Sequence, residues 1–315
     1  MIGAADEHAH AVAPQAFQTW KENWCLCAVD PAQRFAAVFH VSLRPVTGEG
    51  VFSAKLYAGG HEFKHVRRHP IGPDPRALMP LADGALTVTL GDAPRVEFEL
   101  DEVSASLEFT GRFGVFDFAD GPLAPGPSTL GDIGRHVFPF NHYEQGLDVR
   151  GVVRFGGEEV VISGRGNRDH SWGFRDDFGF RHHHWICANF DSCFVGGSAM
   201  VETSYDGLKH GGAVASADGH DPIAEVDESG AYWLAPGEAL PDLDRDVTYT
   251  LRTLSGRELT VTAHVSSPYA LLYLNARSED RTQLYQDRQV FCDYTLHETG
   301  ERGCGVLELG KYLVT

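Results

Sequence analysis

The sequence has few basic residues and no long apolar run. Lysine and arginine together number 26 against 44 aspartates and glutamates, which gives the 315 residues a formal charge of −18. An acidic chain without a cluster of Lys and Arg is a poor ligand for nucleic acid or an anionic membrane. No apolar stretch approaches the roughly 18 residues of a membrane-spanning helix. We therefore expect neither a nucleic-acid partner nor a membrane span.

Signals for several other classes are missing as well. The N-terminus has no charged segment followed by an apolar one, so we expect no signal peptide and a cytoplasmic location. None of the six cysteines lies in a CxxC pair. Cys25 and Cys27 would share one face of a strand and could not easily bridge, so we expect buried reduced thiols. The absence of a GxSxG elbow and of a phosphate-binding glycine loop argues against a serine hydrolase and a nucleotide cofactor.

Helical periodicity is nearly absent, and only Pro14–Asn23 and Ser128–His136 suggest short helices. Apolar and polar residues instead alternate along roughly twenty short segments, including Tyr232–Leu234, which is typical of strands with one buried face. So many short strands predict barrels or sandwiches. Two barrels of roughly 130–170 residues would fill the chain. We expect an all-β chain of two antiparallel barrels, over residues 1–150 and 151–315.

The most informative stretch lies at mid-sequence and is Gly164-Arg165-Gly166-Asn167-Arg168-Asp169-His170-Ser171-Trp172-Gly173-Phe174-Arg175-Asp176. The flanking glycines predict a sharp bend between two strands. Asp169, His170, Arg175 and Asp176 can set one another's pKa values, because an indole favours the protonated carboxyl and arginine the charged one. Such opposed pressures keep an acid and a base side by side. A structural Arg–Asp network under Trp172 is an equally weighted interpretation.

Two histidine groups resemble metal-ligand clusters. His182-His183-His184 and His8-Ala9-His10 bring imidazoles close together, and on a strand His182 and His184 would share a face. No HExxH or comparable motif accompanies them. We therefore favour solvent-facing or pocket-lining histidines and expect no metal.

Further polar-aromatic groups lie near the predicted strands. They include Trp20, Glu22 and Asn23 in the first half, Tyr143 and Glu144 before the central motif, and Trp185, Asn189 and Asp191 after it. Each group could equally consist of polar residues that cap the end of a strand. Together they suggest a mostly apolar pocket with a few polar groups.

The central motif resembles the Arg-Asp-His-Ser-Trp-Gly signature of the carotenoid 1,2-hydratase/AttH-like superfamily. The resemblance extends over the chain, through Trp20–Trp24, His142–Gln145 and the terminal Gly303–Glu308 with Tyr312. It implies two tandem lipocalin-like (calycin-type) antiparallel β-barrels. It also implies action on hydrophobic terpenoid, polyketide or isoflavonoid molecules without an organic cofactor.

The resemblance also implies residue roles. In carotenoid hydratases a His-x-Trp pair and a downstream Tyr-x-Asp are implicated in catalysis, and His170 and Trp172 match the first pair. Asp191 matches the aspartate of the second, and Asn189 stands where its tyrosine would be. Val306 replaces the tyrosine of the terminal strand.

These observations favour a cofactor-independent acid–base enzyme acting on a hydrophobic, isoprenoid or steroid-like small molecule. Alkene hydration or dehydration, or a protonation-triggered cyclisation or isomerisation, fits the residues. Asp169 or Asp191 would protonate a C=C bond, Trp172 would stabilise the cation, and His170 or Glu308 would handle water or a proton. The remaining pocket candidates are Trp20, Glu22, Asn23, Tyr143, Glu144, Arg175, Asp176, Trp185 and Asn189.

The alternative is a non-catalytic carrier that holds a hydrophobic ligand in a lipocalin-like pocket. Several buried ionisable groups favour the enzyme, because burying each of them is costly and a carrier has little use for them. No oligomeric state is indicated.

Overall fold

The computed structural model describes residues 2, 4–12, 20–72, 74–121, 141–174, 180–202, 208–229, 245–265, 269–277 and 283–314. Within these residues, short 3₁₀ turns lie at Ala4–Glu7, Pro31–Gln33, Pro75–Ala77 and Phe118–Asp120. No helix in the described ranges is long and apolar enough to cross a membrane. Strands make up most of the structure, as the alternating pattern predicts.

The strands of the first half are β1 (Trp20–Asp30), β2 (Phe35–Arg44), β3 (Glu49–Ala58), β4 (His61–Pro70), β5 (Leu81–Ala82), β6 (Leu86–Thr89), β7 (Arg95–Leu100), β8 (Val103–Gly111), β9 (Phe116–Asp117), β10 (Asn141–Phe155) and β11 (Glu158–Phe174). The strands of the second half are β12 (Phe180–Asn189), β13 (Cys193–Glu202), β14 (Leu208–Ser216), β15 (Gly219–Ser229), β16 (Val247–Thr253), β17 (Glu258–His264), β18 (Ala270–Arg277), β19 (Gln283–Leu296) and β20 (Glu301–Val314).

The chain divides into two compact units. The first comprises Met1–Asp117 with Phe140–Arg175, and the second Phe118–Pro139 with Asp176–Thr315. The expected boundary between residues 150 and 151 lies inside β10, and the first unit extends to Arg175, so it contains the central motif except for Asp176.

The first unit is a curled antiparallel sheet in the order β4-β3-β2-β1-β11-β10-β8-β7-β6-β5, with β9 paired to β10. Its apolar core lies on one face, where Leu26, Phe39 and Phe109 are buried. β1 and β11 are neighbours near the middle of this order, and Glu22 lies opposite Trp172 while Trp24 lies opposite His170. Since directly paired residues share a face, all four side chains project to the side of the core.

The second unit is a closed barrel. Its strands follow the order β17-β16-β15-β14-β13-β12-β20-β19-β18, and the pairing of β17 with β19 closes a ring of eight. Inward-facing residues such as Ile186, Leu251 and Leu307 form its apolar core. The expected all-β, lipocalin-like fold class is confirmed.

Several local expectations have different outcomes. The bend predicted at the central motif is wrong, because residues up to Phe174 belong to one continuous strand, β11. The helix suggested for Pro14–Asn23 is wrong at its end, since β1 begins at Trp20. Residues 13–19, 128–136 and 232–234 lie outside the described residues. All six cysteines lie in the described residues, where none forms a disulfide and each is buried, as expected.

Gly166 supports the close approach of β1 and β11. A Cβ added there would lie 2.1 Å from the carbonyl oxygen of Cys27 and 2.8 Å from Cγ2 of Val149. Neither neighbour can move without disturbing the paired strands. The motif's glycine therefore serves strand packing rather than a turn.

We expect Gly166→Ala to lower the free energy of unfolding by about 1–3 kcal/mol, the usual cost of overpacking a core. Urea unfolding followed by circular dichroism measures this change. Gly114→Ala is the matched control, since a Cβ at Gly114 meets nothing within 4 Å. Equal stability of the two variants would contradict the packing role of Gly166.

Candidate active site in the first unit

Glu22 lies at the centre of a buried polar cluster. Its side chain is 0% exposed. Its Oε1 atom accepts hydrogen bonds from Nδ1 of His10 at 2.7 Å and from Nε2 of His170 at 3.0 Å. The backbone N–H of His10 also donates to this carboxylate, at 3.0 and 3.1 Å from its two oxygens. These bonds compensate a charge that would otherwise be very costly to bury.

Asp6 engages the second nitrogen of each histidine. Nδ1 of His170 lies 2.7 Å from the backbone carbonyl of Asp6, and Nε2 of His10 lies 3.3 Å from the Asp6 carboxylate. The Asp6 carbonyl and the Glu22 carboxylate can both only accept, so the charged His170 ring donates both hydrogen bonds and the neutral ring donates one of them.

The pKa values of the three groups follow from burial and from one another. Burial favours a higher pKa for Glu22, but hydrogen bonds from His10 and His170 outweigh it and hold that pKa below its usual value. Full burial lowers the pKa of His170 despite its contact with Glu22. Burial also opposes the charge on His10, yet the hydrogen bond to Glu22 raises its pKa overall. These shifts favour the charged form of His10, the ionised form of Glu22 and the neutral form of His170.

Aromatic rings surround the cluster. Trp172 stacks on His10 with ring centroids 4.1 Å apart, and Trp24 stacks on His170 at 4.5 Å. Tyr143 meets His170 edge-on at 5.4 Å. The side chain of His10 is 20% exposed and that of Asp6 27%, whereas Glu22 and His170 are fully buried. The cluster is therefore open to solvent on the side of His10 and Asp6.

A buried ion pair anchors the N-terminal segment over the sheet. Glu7 accepts two hydrogen bonds from Arg168, at 2.6 and 3.0 Å, and one from the Tyr143 hydroxyl at 3.0 Å. Arg168 also donates to Gln145 at 2.9 Å. Burial raises the pKa of Tyr143, so its hydroxyl remains a donor. This ion pair fixes the segment that carries Asp6 and His10.

The structure brings together five of the residues that sequence analysis singled out, namely Trp20, Glu22, Tyr143, His170 and Trp172. Trp20 is two residues from Glu22 and faces the same side of β1. Tyr143 lies opposite His170 on β10. All five are buried.

Strand alternation places three other candidates on the opposite face. Asp169 is adjacent to His170 in sequence, but it lies opposite Cys25 of β1 and Glu144 of β10. On that face Asn23 donates to Ser171 at 3.4 Å. Asp169, Glu144 and Asn23 are therefore not part of the Glu22 cluster.

The candidates on the second unit form a separate group. Glu308 accepts from Nε2 of His183 at 2.8 Å and from Gln289 at 2.7 Å, and Trp185 lies opposite it on β12. Asn189 is buried at the end of β12, whereas Asp191 is exposed in the following turn. The two do not share a strand face, because the strand ends at Asn189. Arg175 and Asp176 lie outside the described residues.

The His182–His184 run is divided between the faces of β12. His182 and His184 are buried, and Nδ1 of His184 lies 2.8 Å from the Tyr249 hydroxyl. Burial lowers the pKa of His182 to about 3, so this ring is neutral. His183 projects to the other side, towards Glu308.

The sequence pattern does not indicate a role for Asp6 or Glu7 in this cluster. His10 stands out only through the His-Ala-His spacing, and Arg168 only as a neighbour of Asp169. The partners of the N-terminal segment are up to 164 positions away, as in the contact between His170 and Asp6. No local pattern signals contacts of such separation.

An open groove lies at the other end of the first sheet. It encloses about 780 Å³ between the β3–β4, β7–β8 and β10–β11 turns, and Glu99, Asp101, Glu102 and Glu158 are among its lining residues. Its acidic rim suits an apolar ligand poorly. The chemistry of the first unit is therefore concentrated in the Glu22 cluster.

Glu7→Gln tests the anchoring role of the ion pair. Removing one partner of a buried pair leaves Arg168 uncompensated, so we expect the N-terminal segment to detach more often. Hydrogen exchange should then accelerate at the His10 amide, which donates to Glu22 in the intact protein. Glu49→Gln removes an exposed partner of Arg68 and serves as the control. Unchanged protection of His10 in Glu7→Gln would contradict the anchor.

Comparison with solved structures finds the same fold over nearly the whole chain. Kievitone hydratase from Nectria haematococca matches with a TM-score of 0.62 and 13% identity, over 98% of this chain and 92% of that one. The AttH-like protein NE1406 from Nitrosomonas europaea matches with 0.57 and 15%, over 92% of each chain. CghA, solved with Sch210972, matches with 0.62 and 11%, over 94% of this chain and 88% of that one.

These structures share the fold that the resemblance of the central motif implies, so that fold is confirmed. No curated protein sequence matches this chain. A family model described as Domain of unknown function (DUF7064) matches residues 3–312. That match covers almost the entire sequence, and the chain therefore belongs to the DUF7064 family.

Proposed function

We propose that this chain is an enzyme that hydrates, dehydrates or rearranges a C=C bond of a hydrophobic small molecule by proton transfer. The observation that carries the proposal is the fully buried Glu22 carboxylate between His10 and His170. Burying a charge and two imidazoles in one cluster costs free energy. A role in proton transfer would explain why the chain keeps them there.

His10 is the proposed proton donor. Glu22 raises the pKa of this imidazole and so favours its charged form, and Nε2 has a long contact of 3.3 Å to the partly exposed Asp6 carboxylate. A substrate alkene that displaces Asp6 would meet the Nε2 proton. The π electrons form the new C–H bond, and the other carbon becomes a cation. In hydration, water adds to that carbon and its surplus proton returns to His10.

The aromatic rings would stabilise the cation. Trp172 and Trp24 present π faces beside the two histidines, and such faces attract positive charge most strongly when water is excluded. His170 would act as a positioning residue, because its bonds to Glu22 and to the Asp6 carbonyl hold both groups in place.

The comparisons agree with this proposal, but the proposal rests on the Glu22 cluster. One similar structure is named a hydratase, and another was solved with the small molecule Sch210972. At identities of 11–15%, the likeness establishes the fold alone. The candidates Asp169, Asp191 and Glu308 remain alternative acids or bases that variants can separate from His10.

A carrier of a hydrophobic ligand is the second candidate. The closed eight-stranded barrel of the second unit favours it, because barrels of this size can hold one small ligand. A carrier would not need the charged cluster of the first unit. The two functions predict different fates for a bound molecule.

The deciding experiment incubates the purified chain with prenylated isoflavonoids and acyclic terpenoids, in heavy-oxygen water and in deuterated water. An enzyme yields a product that has gained solvent oxygen, or an isomer with deuterium on carbon, both detected by mass spectrometry. Recovery of bound but unmodified molecules across the panel would favour the carrier. Heat-denatured protein controls for uncatalysed exchange.

With a substrate in hand, Glu22→Gln should lower turnover by about two to four orders of magnitude, the usual size of general acid–base effects. Glutamine keeps the shape but lacks the negative charge that raises the pKa of His10. Asp169→Asn is the matched control on the opposite face of β11 and should retain most activity. If Glu22→Gln were fully active and Asp169→Asn inactive, the proton donor would lie on the other face of β11, at Asp169.

A further inference from the structure

We infer that His10, Glu22 and His170 form a binding site for a divalent transition-metal ion of the zinc class. Nδ1 of His10, a carboxylate oxygen of Glu22 and Nε2 of His170 all lie within 4.8 Å of one another. Among the described residues this is the one such group of three, and the His182–His184 run does not form another.

Two of the three separations suit a metal after a small expansion, and the third, between the two histidine nitrogens, is at most 4.8 Å and closes as His10 moves. Zinc binds imidazole nitrogen and carboxylate oxygen at about 2.0–2.2 Å, so tetrahedral ligand atoms lie about 3.3 Å apart. The Glu22 oxygen is 2.7 Å from Nδ1 of His10 and 3.0 Å from Nε2 of His170. Each must open by only a few tenths of an ångström. The partly exposed His10 side chain can supply that movement.

The second contacts of both histidines orient them as ligands. Metal-bound histidines commonly donate their other N–H to a carbonyl or a carboxylate. Here the Asp6 carbonyl takes the proton of His170 Nδ1, and the Asp6 carboxylate lies 3.3 Å from Nε2 of His10. The remaining nitrogens both face Glu22. A metal ion would take the place of the protons that His10 Nδ1 and His170 Nε2 direct at Glu22, and would bind the lone pairs of these nitrogens.

The ligand set selects the class of metal. Two imidazoles and one carboxylate suit zinc and its neighbours, whereas magnesium and calcium prefer oxygen ligands alone. Two histidines and a glutamate also form a common catalytic zinc set, which leaves one position open for water. The exposed side of His10 and Asp6 provides access to that position.

Metal binding goes beyond the proposed function, and it can be measured without a substrate. An ion on Nδ1 displaces the proton there, so His10 is no longer an imidazolium and its Nε2 proton is too weakly acidic to be given to an alkene. Zinc would therefore inhibit the proposed proton transfer. A failure to bind metal leaves the proton-transfer proposal intact, and a failure to find turnover leaves the metal site intact.

The test titrates zinc into the full, chelator-treated chain by isothermal calorimetry. We expect one ion per chain, and at least about tenfold weaker binding in each of Glu22→Gln, His10→Asn and His170→Asn. His8→Asn and Asp169→Asn are matched controls, one neighbouring His10 and one neighbouring His170, and should bind as the wild type does. Asp6→Ala should weaken binding by about tenfold by removing a second contact of His10.

Cobalt(II) gives an independent readout on the unaltered protein. Nitrogen and oxygen ligands in a tetrahedral site produce visible d–d absorption without a thiolate charge-transfer band. No stoichiometric binding, or a thiolate band from the buried cysteines, would overturn the inference. So would full affinity in His10→Asn, whose partly exposed side chain makes it the variant least prone to misfold. Circular dichroism confirms that each variant is folded before titration.

Discussion

A carboxylate that is completely buried, Glu22, is the constraint on which the first unit depends. A charge in this position must be compensated by hydrogen bonds and opposite charge, because water cannot reach it. His170 supplies one bond from the neighbouring strand, and His10 supplies two from a segment outside the sheet. The N-terminal segment therefore belongs to the core of the unit, although its described residues 4–12 contain no strand.

The same strand that carries the cluster also holds that segment in place. β11 contributes His170 and Trp172 to the cluster, and Arg168 to the ion pair with Glu7. The three side chains are spaced two residues apart and face one side. Buried polar networks are stable when every member is satisfied and unstable when one is lost. The anchoring of the N-terminal segment and the geometry of the Glu22 cluster therefore both depend on β11.

The fold was largely predictable from the sequence, and the site only in part. Alternation identifies most strands because each has one face on an apolar core, as in Leu26 and Phe39. The central motif points to His170 and Trp172, which do lie in the cluster. It also suggests that Asp169 acts with them, but side chains alternate along β11, so Asp169 lies on the face opposite to His170. Asp6, Glu7 and His10 escape prediction because their contacts depend on the folded sheet and on no local pattern.

The glycines of the motif explain how one register is enforced. A shift of β11 by a single residue would exchange its faces, replacing His170 and Trp172 with Asp169 and Ser171. Cβ atoms at Gly164 and Gly166 would lie 2.2 and 2.1 Å from carbonyl oxygens of β1, so only glycine fits at these positions. In a shifted register the β1 carbonyls would meet Arg165 or Asn167 instead. The glycines therefore select the pairing that brings His170 to Glu22, and the chemistry of the cluster depends on two residues that carry no side chain.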